Sequence, residues 1–203
     1  MKEFKHLPGL DLIRVFGILV VVFYHYQVET AVRGLCPADF LPAMEPLVQV
    51  AVYTMTLLSG SCLCWQEKSR SWSMKRYLWG RFLAIYPLFW LCFFPIFIYS
   101  DIICGNNEGV APWKLLLSIV GVDGYFQSFT PTFYKIGEWY LGCILFLYAV
   151  FPVLWRMIRR RGVVFAAVGA LFAWLACCFV ENPGQLYPTL IGQLPLFFMG
   201  SFL

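Results

Sequence analysis

Charge is what this sequence has least of. Only 13% of its 203 residues are Asp, Glu, Lys or Arg, while 61% are hydrophobic and 19% aromatic. Soluble domains carry about 25% charged residues, so the composition excludes an ordinary soluble domain and reads as a membrane protein. Histidine is scarcer still, with two residues. Eight cysteines are present, but none forms a Cys-x-x-Cys pair and none has a histidine at zinc-like spacing, so no metal site is expected. No removable signal peptide is evident: the first apolar run is too long, lacks a small-residue cleavage site, and is followed by further apolar segments. Internal repeats, low-complexity tracts and a second, soluble domain are likewise absent, so residues 1–203 read as a single membrane-embedded domain. The net charge of +4 serves orientation and gives no reason to expect a nucleic-acid partner.

What is abundant is apolar sequence. A crossing needs about 20 apolar residues. Six segments qualify as candidate spans, at 8–28, 46–66, 82–100, 139–155, 162–180 and 189–203. Residues 115–122 (LLLSIVGV) are apolar but too short, and read as part of a re-entrant or interfacial segment. The fold class expected is therefore an all-α polytopic bundle. Of the 15 basic residues, twelve lie before span 1 or near its start, between spans 2 and 3, and between spans 4 and 5. Arg33, Lys114 and Lys135 are left for the other side. The positive-inside rule then places the amino terminus in the cytoplasm and residues 101–137 wholly outside. The last apolar run ends at Leu203 without flanking polar residues, and the expectation is a chain incomplete at its carboxyl end.

Six of the cysteines lie in or beside apolar spans, where free cysteine behaves as a small hydrophobe. Cys36 and Cys104 fall in outward loops; they are open to a disulfide there or to remaining free thiols.

The first span, "LDLIRVFGILVVVFYHY", carries Arg14 and His25. Eleven residues at about 100° each bring the two side chains onto one face, about 16 Å apart along the axis. Asp11 precedes Arg14 by three residues, within pairing reach, and Glu29 follows His25 by four, close enough to hold its ring. The face reads Asp11, Arg14, Ile18, His25, Glu29. Ionisable groups at membrane depth face a bundle interior or a cavity and mark functional paths. Bland readings stand beside this one: Arg14 as a snorkelling side chain and His25 as a satisfied structural histidine. Chemically, neutral imidazole is a natural general base for a hydroxyl, and a guanidinium holds a phosphate or carboxylate.

These residues carry a resemblance. "LDLIRVFGILVVVFYHY" resembles the first helix of the acyltransferase-3 family of integral membrane acyltransferases, whose hallmark is a basic residue, ten positions, then histidine, matched by Arg14 and His25. "KRYLWGRFLAIYPLFW" (75–90) resembles the family's arginine-rich entry to the third helix, "GEWYLGCILFLYAVFPVL" (137–154) a later helix, and "LPLFFMGSFL" a phenylalanine-rich helix closed by glycine. The segments follow in family order along the whole chain. In one departure, Ala84 stands where many members have a second arginine, three after the one matching Arg81; Arg76 is the substitute in reach. Members are also usually much longer, and the likeness is to their amino-terminal part.

The resemblance implies transfer of an acyl group, most often acetyl, from cytoplasmic acyl-coenzyme A to a hydroxyl of a cell-envelope polysaccharide or glycolipid in the bacterial plasma membrane. It implies His25 as general base, with Arg14 and Arg81 steering the donor and Arg76 as a substitute; Asp11 and Glu29 join the expected substrate-binding set from their spacing to Arg14 and His25. No resident cofactor is implied; acyl-coenzyme A is a substrate. Glu138 is open to two readings, a cavity-lining carboxylate orienting acceptor or histidine, or an interfacial acid favoured by a helix N-terminus. The run "RMIRRR" (156–161) reads as a lipid-facing anchor, with contact to coenzyme A phosphates as the alternative. Two rivals to the enzyme are a non-enzymatic carrier of a glycan or lipid-linked sugar and an inactive remnant.

Overall fold

The computed structural model describes residues 8–35, 37–68, 72–106, 109–126, 129–136, 139–179 and 190–202; residues 38, 67, 68, 161, 163, 165–167, 170–179 and 191 enter by backbone alone. The described residues are mostly helical and contain no strand. The main helices are α1 (Pro8–Val32), α2 (Leu41–Lys68), α3 (Met74–Phe97), α4 (Leu115–Val120), α5 (Trp139–Phe179) and α6 (Leu190–Gly200). Among the described residues, four helical stretches are long and apolar enough to cross a membrane: Pro8–Val32, Leu41–Gln66, Met74–Ile103 and Trp139–Arg160.

Three expected boundaries move. The basic loop expected around residues 156–161 is helical, because α5 runs unbroken for 41 residues, about 62 Å at 1.5 Å per residue. Arg, Met and Ile are compatible with a helix interior, and a cluster of positive charge marks depth in a bilayer rather than a helix end. The expected spans at 139–155 and 162–180 are thus parts of one helix. The expected span at 189–203 contains an 11-residue helix, shorter than a crossing. The third span begins earlier than expected, at Met74, so Lys75, Arg76 and Arg81 are helical residues and not loop charges.

The chain forms two compact units. In the first, residues 1–70, 161–187 and 191–203, α1 and α2 run antiparallel: Arg14 meets Cys62, Gly17 meets Met55, and Val20 clusters with Val48 and Ala51. A Cβ on Gly17 would lie 3.6 Å from Met55 Cγ, which is ordinary contact. The approach of α6 to α2 is closer. A Cβ on Gly60 would run into the carbonyl oxygen of Phe197, and one on Gly200 into that of Leu57. Lipid tails are as apolar as Leu, so helices in a bilayer gain little from hydrophobic burial and associate through such small-residue contacts and interhelical hydrogen bonds. Thr56 and Gln193, both fully buried, supply one of the latter at 2.6 Å.

The second unit, residues 71–160 and 188–190, packs with rings. Phe93 and Phe151 are fully buried, and Tyr77 stacks on Phe151 at 5.5 Å. The Tyr77 hydroxyl donates to the Tyr148 carbonyl at 2.8 Å, tying α3 to α5. The short α4 covers part of the segment read as re-entrant or interfacial. It ends in a Schellman arrangement, with Gly121 at φ +79° and the Val122 N–H on the Leu117 carbonyl at 3.1 Å. Its last carbonyls, Ile119 and Val120, accept from Trp90 Nε1 at 2.9 Å and the Tyr86 hydroxyl at 3.0 Å. Donors from α3 thus satisfy backbone groups that the end of a helix leaves open.

Candidate functional site

The seam that α1 presents to α2 follows helical spacing through Arg14, Gly17, Val20, Val21 and Tyr24, with Gly17 and Val20 buried. Arg14 sits at one end. Its Nη1 donates to Asp11 Oδ1 at 3.4 Å, the pair anticipated from the three-residue spacing, and its Nη2 donates to Cys62 Sγ at 2.9 Å. Thiol sulfur is a weak acceptor, and the side chains of Arg14 and Asp11 are 37% and 46% exposed. The guanidinium is therefore oriented without being neutralised by a strong buried partner, an arrangement that leaves it able to meet an anion.

His25 lies one residue past the last member of the seam. Its ring is exposed and meets Tyr24 edge-on, with centroids 5.9 Å apart and planes at 71°. Ile18 is 51% exposed, and Glu29 is exposed as well. The expected polar face is thus divided: Arg14 turns toward α2, while Ile18, His25 and Glu29 lie outside the contact. The physical reason is that the seam tracks the residues that permit close approach, Gly17, Val20 and Val21, and not the polar ones. The carboxylate of Glu29 takes Arg33 as its partner, at 2.7 Å from Nε and 2.6 Å from Nη2.

The remaining candidates belong to the second unit. Arg76 is exposed on the first turn of α3. Arg81 is half-buried, its guanidinium carbon 5.5 Å from the centroid of the Tyr148 ring. Ala84 is exposed on the same helix. Glu138 lies outside the described residues. So α1 brings together Arg14, Asp11 and, through α2, Cys62, and α3 carries Arg76 and Arg81.

Several polar groups escaped the sequence reading. Cys62 looked like a small hydrophobe, and nothing local marks it as the partner of Arg14. Asp101, 6% exposed, pairs with Lys135 Nζ at 3.1 Å. Asp123 is fully buried, and burial pushes its carboxyl above the usual range against the lowering pull of the Ser118 hydroxyl and of backbone N–H groups at Asp123 and Gly124. None of these closes into a hydrogen bond of normal geometry. Burial also raises the Tyr125 phenol. Among the described residues, no group of three His, Cys, Asp or Glu side chains is placed to hold a metal ion.

The family model described as an acyltransferase domain matches residues 7–203. The chain belongs to the acyltransferase-3 family. It is also similar to the acyltransferase MdmB of Streptomyces mycarofaciens, with 26% identity over 191 residues, 87% of this chain and 47% of that protein. The chain thus spans about half the length of the curated relative it matches. No solved structure matches it.

Proposed function

We propose that this chain is the amino-terminal part of a membrane O-acyltransferase that moves an acyl group, acetyl in the first instance, from cytoplasmic acyl-coenzyme A to a hydroxyl of a cell-envelope polysaccharide or glycolipid. The observation that carries the reading is the pair on α1: a guanidinium oriented by Asp11 and Cys62, and an accessible imidazole three turns further along. His25 takes the proton from the acceptor hydroxyl as its oxygen attacks the thioester carbonyl. The tetrahedral intermediate then expels the coenzyme A thiolate, which recovers the proton from the imidazolium. Arg14 and Arg81 steer the anionic donor, with Arg76 in support. The protein lies in the plasma membrane with its amino terminus inside.

The test is replacement of His25 by Ala. A general base contributes about 10² to 10⁴ in rate, so release of free thiol from acetyl-coenzyme A in the presence of acceptor glycan should fall by that factor. Membrane insertion should be unaffected, because alanine enters a bilayer more readily than histidine. Acyl transfer at the wild-type rate in this variant would sink the assignment. Glycan export persisting without any thioester consumption in the wild type would identify a carrier instead.

A further inference from the structure

Where α3 begins and α5 becomes arginine-rich, the second unit contains a cavity of about 820 Å³, within the range of small-molecule sites. It is lined by Trp72, Trp155, Arg156, Arg159 and Arg160, with apolar side chains between them. Beneath it stands a column of rings. Trp72 lies 5.4 Å from Tyr77, 6.4 Å from Phe151 and 6.5 Å from Trp155. Tyr77 anchors that column to the α5 backbone. Trp72 is only half-buried, which leaves part of its indole open. Trp155 is 4% exposed, and its Nε1–H is buried with no acceptor among the described residues.

The three arginines have no carboxylate partner among the described residues; Arg159 lies over the Trp155 ring, 6.0 Å from its centroid. Like charges gathered around one concavity raise its positive potential and attract an anion. Guanidinium forks match phosphate oxygens two at a time. An indole face is a stacking platform for any nucleobase. We infer that this cavity binds a purine nucleotide bearing more than one phosphate: the base against Trp72, and the phosphates among Arg156, Arg159 and Arg160. This deepens the donor reading above, on which the identification with the nucleotide end of acyl-coenzyme A rests. An anionic lipid headgroup shares the phosphate chemistry but has no base to occupy the indole.

The probe is adenosine 3′,5′-bisphosphate, titrated against the protein in nanodiscs of zwitterionic lipid and read by quenching of tryptophan fluorescence and by calorimetry. Saturable binding is expected, weakened about tenfold or more by Arg159→Gln and less by Arg159→Lys, since lysine keeps the charge and loses the fork. Trp72→Ala should weaken the nucleotide and leave pyrophosphate unmoved, and Trp72→Phe should restore most of the loss. No saturable binding, or binding indifferent to Arg159→Lys and to Trp72→Ala, overturns the site. So does pyrophosphate binding as tightly as the nucleotide, or a Trp72-independent site competed away by anionic lipid; both mark a phosphate or headgroup site. Binding is measured without turnover, so the two readings fail separately. Nucleotide bound in a protein that transfers no acyl group keeps the cavity and removes the enzyme. Acyl transfer whose KM for acyl-coenzyme A is the same in Trp72→Ala and Arg159→Lys keeps the enzyme and removes the cavity.

Discussion

The two units solve the same problem in opposite ways. In the first, α2 meets its neighbours where side chains are smallest, at Gly60 against the backbone of Phe197 and at Leu57 against Gly200. In the second, the interior is filled by side chains of the largest kind, Phe93 and Phe151 among them, joined by ring contacts such as Phe89 with Phe93 at 5.6 Å and Phe151 with Trp155 at 6.1 Å. A bilayer supplies little hydrophobic drive for either, so what remains is contact area and hydrogen bonds. Close backbones obtain that contact with few atoms, and leave the polar residues of α1 at or beyond the edge of the seam. Interlocked rings obtain it with bulk, and enclose polar groups such as Asp101 and Asp123 that then depend on what is nearby.

The contrast can be broken by mutation, and the largest effect belongs to the rings. Phe151→Ala should cost about 3 kcal/mol, the low end of the usual range, because the cavity and the lost contacts persist in lipid while part of the transfer term does not. Unfolding by titration with a denaturing detergent measures it, and a loss below that of an exposed control, Phe146→Ala, would contradict the ring-packed interior. Next comes Gly60→Ala, where one methyl group must displace a backbone carbonyl, at about 1–3 kcal/mol. Gly80 has open space around its Cβ position, so Gly80→Ala should be neutral or mildly stabilising by about 0.5–1 kcal/mol. Equal behaviour of the two alanines would remove the distinction between the units. Tyr77→Phe deletes a single hydrogen bond to the Tyr148 carbonyl and keeps the stacked ring, so about 0.5–1.5 kcal/mol is expected.

The last effect is a slope rather than an offset. The Asp123 carboxyl titrates above its ordinary 3.8, so the native state holds more protons than the unfolded state between 3.8 and the raised value. Stability should therefore fall as pH rises through that window, and Asp123→Asn should flatten the dependence while stabilising the protein above it. Melting curves collected from pH 4 upward give the comparison. A wild-type slope unchanged in Asp123→Asn would show that some other group carries it.

The amino-acid sequence already determined much of this. Apolar runs separated by basic clusters impose membrane helices, since a backbone inside hydrocarbon must satisfy its own hydrogen bonds. The spacing of Asp11 and Arg14 imposes their pairing, because residues three apart are neighbours on any helix. The order of motifs from Arg14 and His25 onward was legible as an acyltransferase-3 pattern, and the match over residues 7–203 agrees with it. Other features were out of reach. The continuity of α5 through Arg156 and Arg159 was hidden because charge reports membrane depth and says nothing of where a helix stops. Cys62 beside Arg14 is separated from it by 48 residues, and Tyr77 from the carbonyl of Tyr148 by 71. Local spacing decides which residues share a face; only tertiary packing decides which face meets a partner. On α1 that decision followed the small residues, drew Arg14 inward and left His25 outside, because in a bilayer closeness of backbones outweighs the position of polar groups.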